Sequence, residues 1–234
     1  VGNGSDLFIG YPMDMFYGYK TDGVFLNDNE VASWYDQTAI AKGSRAGDLR
    51  FVDVTGDKKV TNADKVYLGS RIPKYTFGLN LGLAYSGIDF SMLIQGVAGV
   101  KGLLTSYAGL AFNQEGNIQR WQMKENWNVQ QDNRYPGYPR LEVTSSSGSP
   151  NTQLSDFWVQ NASFVKVRNI QVGYTIPQNQ TKKWGVSNAR VYLSLDNPIS
   201  IDHYKKGWDP ENTKNNGTYY PVMSTYTLGL TLSF

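Results

Sequence analysis

Y-T-L-G-L-T-L-S-F, Tyr226 to Phe234, alternates without a break. Even positions carry large side chains (Tyr226, Leu228, Leu230, Leu232, Phe234), and odd positions carry small or polar ones (Thr227, Gly229, Thr231, Ser233). A strand places all the large residues of such a pattern on one face, whereas a helix scatters them around its circumference. The apolar face runs to the last residue with no polar tail, where soluble domains commonly trail into a few disordered residues. The stretch reads as a strand with one face made for lipid and an aromatic end that serves as an address.

The pattern recurs upstream. Tyr75 to Tyr85, Y-T-F-G-L-N-L-G-L-A-Y, puts its large residues at odd positions, and Ser86-Gly87 follows as a tight turn. Ile88 to Val97 then places Ile88, Phe90, Met92 and Ile94 on one face and Asp89, Ser91 and Gln95 on the other. Two alternating strands of about ten residues and a two-residue turn make a membrane-length hairpin. A soluble sandwich also uses such hairpins, but its non-core face more usually carries Lys, Glu and Thr than the Gly, Ala and Asn found here. Phe164 to Ile176 changes phase, with Val165 and Val167 apolar first and Ile170, Val172, Tyr174 and Ile176 afterwards. A one-residue bulge near Arg168-Asn169 reconciles the halves. Ala189 to Leu195 is a further strand, and Leu7 to Tyr19 a loosely alternating one with Pro12 at an edge or bulge.

The connections alternate in length. Thr21 to Arg50 is a structured loop with Trp34 and Tyr35 in a short helix. Gly99 to Gln160 is long, with a helix-like piece over Asn117 to Asn126, a rigid aromatic turn at Tyr135-Pro-Gly-Tyr-Pro-Arg140 and a mobile Ser/Gly-rich run over Thr144 to Pro150. Gln178 to Ser187 is moderate, and Asn197 to Pro221 is long. Short turns on one side and long loops on the other are the habit of outer-membrane barrels, with the short turns periplasmic. Six strands cannot enclose a lumen, since the smallest membrane barrels have about eight. The opening Val1-Gly-Asn-Gly-Ser has no initiator Met and no signal peptide, so a processed chain or a fragment is expected.

Composition agrees. The 234 residues hold 24 Gly and 16 Tyr, with only 18% charged, the balance of a turn-rich, aromatic-rich β protein. A net charge of +2 without a Lys/Arg stripe argues against nucleic acid as a partner. The absence of Cys removes disulfides, thiol catalysis and Cys-based zinc sites. No apolar run reaches the length of a membrane helix, which leaves barrels untouched.

D-V-T-G-D-K-K-V-T-N-A-D, Asp53 to Asp64, carries side-chain oxygens at Asp53, Thr55, Asp57, Thr61 and Asp64, with Lys59 offering a backbone carbonyl. A loop with this spacing wraps around a hard cation such as calcium. Lys58 stands where Gly is usual, at a turn favouring positive φ, and Asp64 stands where Glu is usual, as in dockerin-type loops. The alternative is an Asx-rich turn that closes on its own hydrogen bonds. Either way the loop's role is structural.

Several stretches resemble, in order, the C-terminal region of SusC/RagA-type TonB-dependent transporters. They are F-Y-G-Y-K-T-D-G-V-F (Phe16 to Phe25), G-D-L-R-F-V-D-V-T-G-D (Gly47 to Asp57), L-G-S-R-I-P-K-Y-T-F-G-L-N-L (Leu68 to Leu81) and F-S-M-L-I-Q-G-V-A-G (Phe90 to Gly99). Y-P-R-L (Tyr138 to Leu141), S-F-V-K-V-R-N-I-Q-V-G-Y-T-I-P (Ser163 to Pro177), R-V-Y-L-S-L-D-N-P (Arg190 to Pro198), G-W-D-P-E (Gly207 to Glu211) and Phe234 continue the series. Departures are Lys58 where Gly is frequent and Asn197-Pro198 where Asn-Leu is frequent. The resemblance implies an all-β, antiparallel transmembrane barrel fragment: residues 1–234 supply about six C-terminal strands of a roughly 22-stranded barrel. It implies an N-terminal plug and earlier strands as the rest of the transporter, a SusD-like surface lipoprotein as lid, and energy from the TonB complex. The cargo would be oligosaccharides or peptides, and the location the outer membrane of a Gram-negative bacterium. Tyr226, Leu228, Leu230, Leu232 and Phe234 would be the signal read during barrel assembly.

Enzyme chemistry is not in evidence. His203 is the one histidine and has no His or Cys to work with, and no G-x-S-x-G, P-loop or H-E-x-x-H occurs. Asp209 and Glu211 are a carboxylate pair in a polar loop. Tyr75, Tyr85, Tyr174 and Tyr226 sit near strand ends, where amphipathic rings suit a membrane interface. Trp121, Trp127, Trp208, Tyr219 and Tyr220 are expected to be small cores of the loops, with stacking on sugars or contact with a lid protein as the alternative. The competing functions are a secreted carbohydrate-binding β-domain with a structural calcium loop and, more remotely, an outer-membrane hydrolase barrel.

Overall fold

The computed structural model describes residues 10–130, 132–143, 148–213 and 218–234, with the backbone of 2–3 and 6–7. The mobility expected of the Ser/Gly-rich run rests on residues 144–147, outside the described residues. The chain forms two compact units, a strand unit (73–100, 161–211, 220–234) and a loop unit (1–72, 101–160, 212–219).

The strand unit is one antiparallel sheet. Its strands are β1 (Tyr75–Tyr85), β2 (Ile88–Ala98), β3 (Phe164–Thr175), β4 (Asn188–Asp202) and β5 (Thr225–Ser233), in the order β5-β4-β3-β2-β1. Ser86 (φ 51°) and Gly87 (φ 84°) are both left-handed, as a two-residue turn between right-twisted strands demands. The expected bulge is present: β3 changes register between Val167 and Asn169 against both β2 and β4. One extra residue keeps Val165, Val167, Ile170 and Val172 on one face. β4 extends beyond the expected Leu195 to Asp202, turning its own register at Asn197 (φ 49°).

The sheet has five strands where the sequence suggests six, and among the described residues β1 and β5 are not paired with each other. Leu7 to Tyr19 does not join it. Positive φ at Gly10 (88°) and Asp14 (52°) breaks that stretch. Met15–Gly18 is extended but pairs with Val66–Ser70 in the loop unit, and Leu7 pairs with Gly2.

The loop unit is built from short pieces. Thr21–Val24 pairs with Leu49–Phe51, and the helices Asp28–Ser33 and Arg120–Glu125 lie inside the expected loops, the first ending before Trp34 and Tyr35, which the sequence places in it. Its core joins Tyr19, Val24, Leu49, Phe51 and Val60, with Ile40, Trp127 and Phe157 against them. Irregular backbone must find partners one by one. Val24 N–H donates to Arg134 O (2.9 Å), Leu49 N–H to Asn151 Oδ1 (2.9 Å) and Trp34 Nε1 to Phe51 O (2.9 Å).

Candidate functional site

The register of the sheet aligns three apolar rows across all five strands. They are Leu81–Met92–Ile170–Leu195–Tyr226, Leu83–Phe90–Val172–Leu193–Leu228 and Tyr85–Ile88–Tyr174–Val191–Leu230. All these residues are exposed or half-buried, Leu228 at 77% and Leu83 at 71%. Scattered apolar residues are ordinary on a water-facing surface, but a contiguous face of this extent is not. The five residues read as an assembly signal all lie at this face's positions, Leu232 opposite Ala189 and Phe234 89% exposed at the end.

The reverse face is polar and cross-linked. Arg190 grips Asp89 with two nitrogens (2.9 and 2.5 Å) and reaches Gln171 (3.1 Å). Asn169 Nδ2 donates to Ser194 Oγ (2.9 Å) and Asp196 Oδ1 (2.7 Å). The guanidinium of Arg190 lies 5.0 Å from the centre of the Tyr192 ring, and that ring fills the space where Gly229 would otherwise carry a Cβ. A Cβ at Gly229 would have to displace the tip of that ring.

Asp209 and Glu211, the loop carboxylates, are held as ion-pair partners. Lys166 on β3, its side chain only 6% exposed, lies 2.7 Å from each, and Arg168 also pairs with Glu211. Burial pushes the Glu211 carboxyl up, but Arg168 and Lys166 hold it below the usual carboxylate range. A pair neutralised in this way is not poised for acid–base exchange. His203 is exposed.

In the Asp53–Asp64 loop the carboxylates face inward onto backbone. Asp64 is fully buried and accepts from Val54 N (2.9 Å), Thr55 N (2.9 Å) and Thr61 N (2.7 Å). Asp53 accepts from Gly56 N and Lys58 N (both 2.7 Å), and Asp57 from Lys59 N (2.9 Å). Lys58 takes the expected positive φ, 66°. Among the described residues no three acidic or histidine side chains gather as a cation would need. Thr55 and Thr61 hydroxyls also turn to Asp64 (3.0 and 3.4 Å), so the loop closes on its own hydrogen bonds.

Asp64→Asn is expected to cost about 2–4 kcal/mol, because it weakens several charge-assisted bonds to a buried group. Faster amide exchange over residues 53–64 in the assembled protein checks this. Burial opposes ionisation of Asp64, but hydrogen bonds from Thr61, Thr55 and Val54 outweigh it and lower its pKa. Glu30 is lowered too, first by its hydrogen bond to Arg134. A lowered carboxylate contributes stability above its unfolded value, about 4, and loses it as pH falls through the folded value. Asp48 runs the other way: burial pushes it up despite Arg140, so protonation relieves it on acidification. Below about pH 4 the Asp53–Asp64 loop should open before the segment around Asp48, as read by exchange at each.

The loop aromatics are mainly packing. Trp121 and Trp158 stand edge-on to Tyr138 at 5.4 and 5.8 Å, and Trp127 packs on the core cluster. Burial pushes the Tyr138 hydroxyl up to about 12, and burial with the Asp64 charge does the same for Tyr19. Both stay protonated at neutral pH, Tyr138 accepting from Ala111 N (2.8 Å) and Tyr19 donating to Asn62 (3.0 Å). Tyr220, 82% exposed, is the exception. The rings at strand ends are also exposed, Tyr75 and Tyr226 at 70% and Tyr85 at 84%.

The register also sorts the connections. Ser86-Gly87, residues 176–187 and Phe234 share one end of the sheet, and the long connections leave from the other. One apolar face, a charged and hydrogen-bonded reverse, and connections so sorted are the construction of a transmembrane β-barrel wall. Relatives carry the same message. The chain is 27% identical over 239 residues to TonB-dependent receptor P3 of Formosa agariphila, spanning 96% of this chain and 22% of that protein. It is 28% identical over 188 residues to TonB-dependent receptor SusC of Bacteroides thetaiotaomicron, spanning 79% and 17%. Among solved structures it resembles the RagAB peptide importer in its open-open state, with TM-score 0.62, 20% identity, and 98% of this chain against 25% of that one. No family model matches. The resemblance read from the sequence is upheld: TonB-dependent receptors, SusC among them, are similar to this chain along most of its length, and it spans about a fifth of theirs. These relatives are receptors and importers, not enzymes.

Proposed function

We propose that this chain forms part of the wall of an outer-membrane, TonB-dependent active importer of oligosaccharides or peptides. The observation that carries the reading is the set of three apolar rows crossing every strand of the sheet. The rows face lipid, and the free edges of β1 and β5 pair with further strands of a roughly 22-stranded barrel, since an open edge in lipid leaves backbone groups unsatisfied. The polar reverse faces the lumen and a plug, TonB supplies energy through the plug, and a SusD-like surface lipoprotein lids the long-loop end. The mechanism is physical: this chain holds wall and loops still while other parts move. Support comes from the match to SusC and to an importer of peptides, each over nearly four-fifths of this chain or more.

Calcium at the Asp53–Asp64 loop is not needed by this reading. A chelator should leave exchange across the loop unchanged, and a calcium-dependent slowing would restore the cation reading. The secreted carbohydrate-binding alternative leaves the apolar rows in water without a covering partner.

The test is fractionation with co-purification. The protein should appear in outer membranes, require detergent for release, and bring a surface lipoprotein with it; recovery in the soluble secreted fraction would overturn the reading. The assembly-signal role of Tyr226, Leu228, Leu230, Leu232 and Phe234 belongs to the same proposal. Phe234→Ala with Leu232→Ser should lower the assembled protein at the surface, and normal surface levels would count against that role.

A further inference from the structure

The short-turn end of the sheet carries a cluster that the wall reading does not use. After β3 the chain makes a helical turn, Gln178–Thr181, and a 3-10 turn, Lys182–Trp184. Thr181 and Val186 are buried, Val186 N–H bonds Thr181 O (3.2 Å), and Ser187 N–H bonds Ser233 O (2.7 Å), so the turn is fastened to the sheet. Lys182, Lys183 and Trp184 are left exposed, the indole at 65%. Neither lysine has an ion-pair partner among the described residues. Tyr85 (84% exposed), Tyr174 (45%) and Phe234 (89%) stand at the same end of the sheet.

The charge balance there is one-sided. From Tyr174 to Asn188 there is no Asp or Glu, and Asp89, the acid nearest this end of the strands, is occupied by Arg190. The long-loop end differs: His203, Lys205 and Lys206 are interleaved with Asp202, Asp209 and Glu211. Resting on the wall reading, we propose that Lys182, Lys183 and Trp184 form a headgroup site for an anionic glycerophospholipid of the periplasmic leaflet, of the phosphatidylglycerol class. Two ammonium groups on a fixed turn face the phosphodiester. The indole sits at the interfacial level, and the acyl chains run along the apolar face from its outermost row, that of Tyr85, Tyr174 and Leu230. Lipopolysaccharide, the other phosphate-bearing lipid of this membrane, would meet the opposite, mixed-charge end.

The test uses the full-length protein purified from outer membranes and native mass spectrometry with added phosphatidylglycerol or phosphatidylcholine. Phosphatidylglycerol should be retained in preference to phosphatidylcholine. Lys182→Gln with Lys183→Gln should weaken that retention about thirtyfold, since each lysine near a membrane surface contributes on the order of 1 kcal/mol. Trp184→Ala should weaken retention of both lipids, and Lys206→Gln should change neither. Equal retention of the two lipids, an unaffected double variant, or loss in Lys206→Gln alone would overturn the site. Heat-modifiable mobility of each variant confirms that the barrel has assembled. A protein that fractionates with outer membranes but shows no headgroup preference refutes this site alone, whereas one found in the soluble fraction refutes the wall reading itself.

Discussion

Leu228→Arg is expected to leave little assembled protein in the outer membrane, while Thr227→Arg, one residue away, assembles at nearly the normal level. Leu228 closes the middle apolar row behind Leu83, Phe90, Val172 and Leu193. Near the centre of a nine-residue strand, its guanidinium would lie at mid-depth in lipid. An arginine on the lipid face at that depth costs about 2–4 kcal/mol. Thr227 belongs to the other face, across from Ser194. An arginine there meets the side that already holds Arg190, Asp89 and Gln171. The contrast is read from the heat-modifiable band in outer-membrane fractions. Equal loss in both variants would mean that the faces are not distinguished by their surroundings.

Lys166→Ala should produce the second large effect, about 3–5 kcal/mol of lost stability, because it strands Asp209 beside a nearly buried position and leaves Glu211 with Arg168 alone. Lys166 Nζ lies 2.7 Å from both Asp209 and Glu211 and 5.3 Å from the centre of the Phe164 ring. The D-P-E turn is therefore fastened to β3 by charge, with Pro210 buried between its carboxylates. Once it is released, trypsin should cut at Lys205 and Lys206 in the assembled protein. Adding Asp209→Asn to Lys166→Met should restore most of the resistance, since Glu211 keeps Arg168 and no carboxylate is left uncompensated. Continued sensitivity in the double variant would show that the fastening is packing and not charge.

What the sequence made legible follows from the physics of each part. The strands of the sheet were readable because alternation is local: every second side chain must suit one solvent. The bulge near Arg168-Asn169 was readable for the same reason, as a slip of phase between Val167 and Ile170. The end of β4 was not, because Asn197-Pro198 hides a continuation whose partners, Val165 and Val167, lie some thirty residues earlier. The Leu7–Tyr19 stretch looked like a strand because its aromatics alternate, yet two left-handed residues turn it aside.

The loop unit was least legible. Its core joins Tyr19, Val24, Leu49 and Phe51 to Trp127 and Phe157, contacts across a hundred residues with no period to announce them. The fastening of Asp209 and Glu211 was equally hidden. The pair was visible as two carboxylates, but Lys166 and Arg168 appear in sequence only as polar breaks in a strand. The Asp53–Asp64 loop shows the converse. Its spacing is shared by a cation loop and a self-closed turn, and the backbone N–H groups that bond Asp64 and Asp53 have no mark in that spacing.

The most direct test of the central claim uses a property of the chain itself: it contains no cysteine, so single cysteines report without background from it. Nitroxide labels placed one at a time from Tyr226 to Leu232, in the full protein in outer membranes, are read for collision with oxygen, which partitions into lipid, and with a water-soluble nickel chelate. The account predicts strict alternation, with oxygen access high at 226, 228, 230 and 232 and low at 227, 229 and 231. Access that is uniform along the strand, or high to the nickel chelate at the even positions, would contradict it.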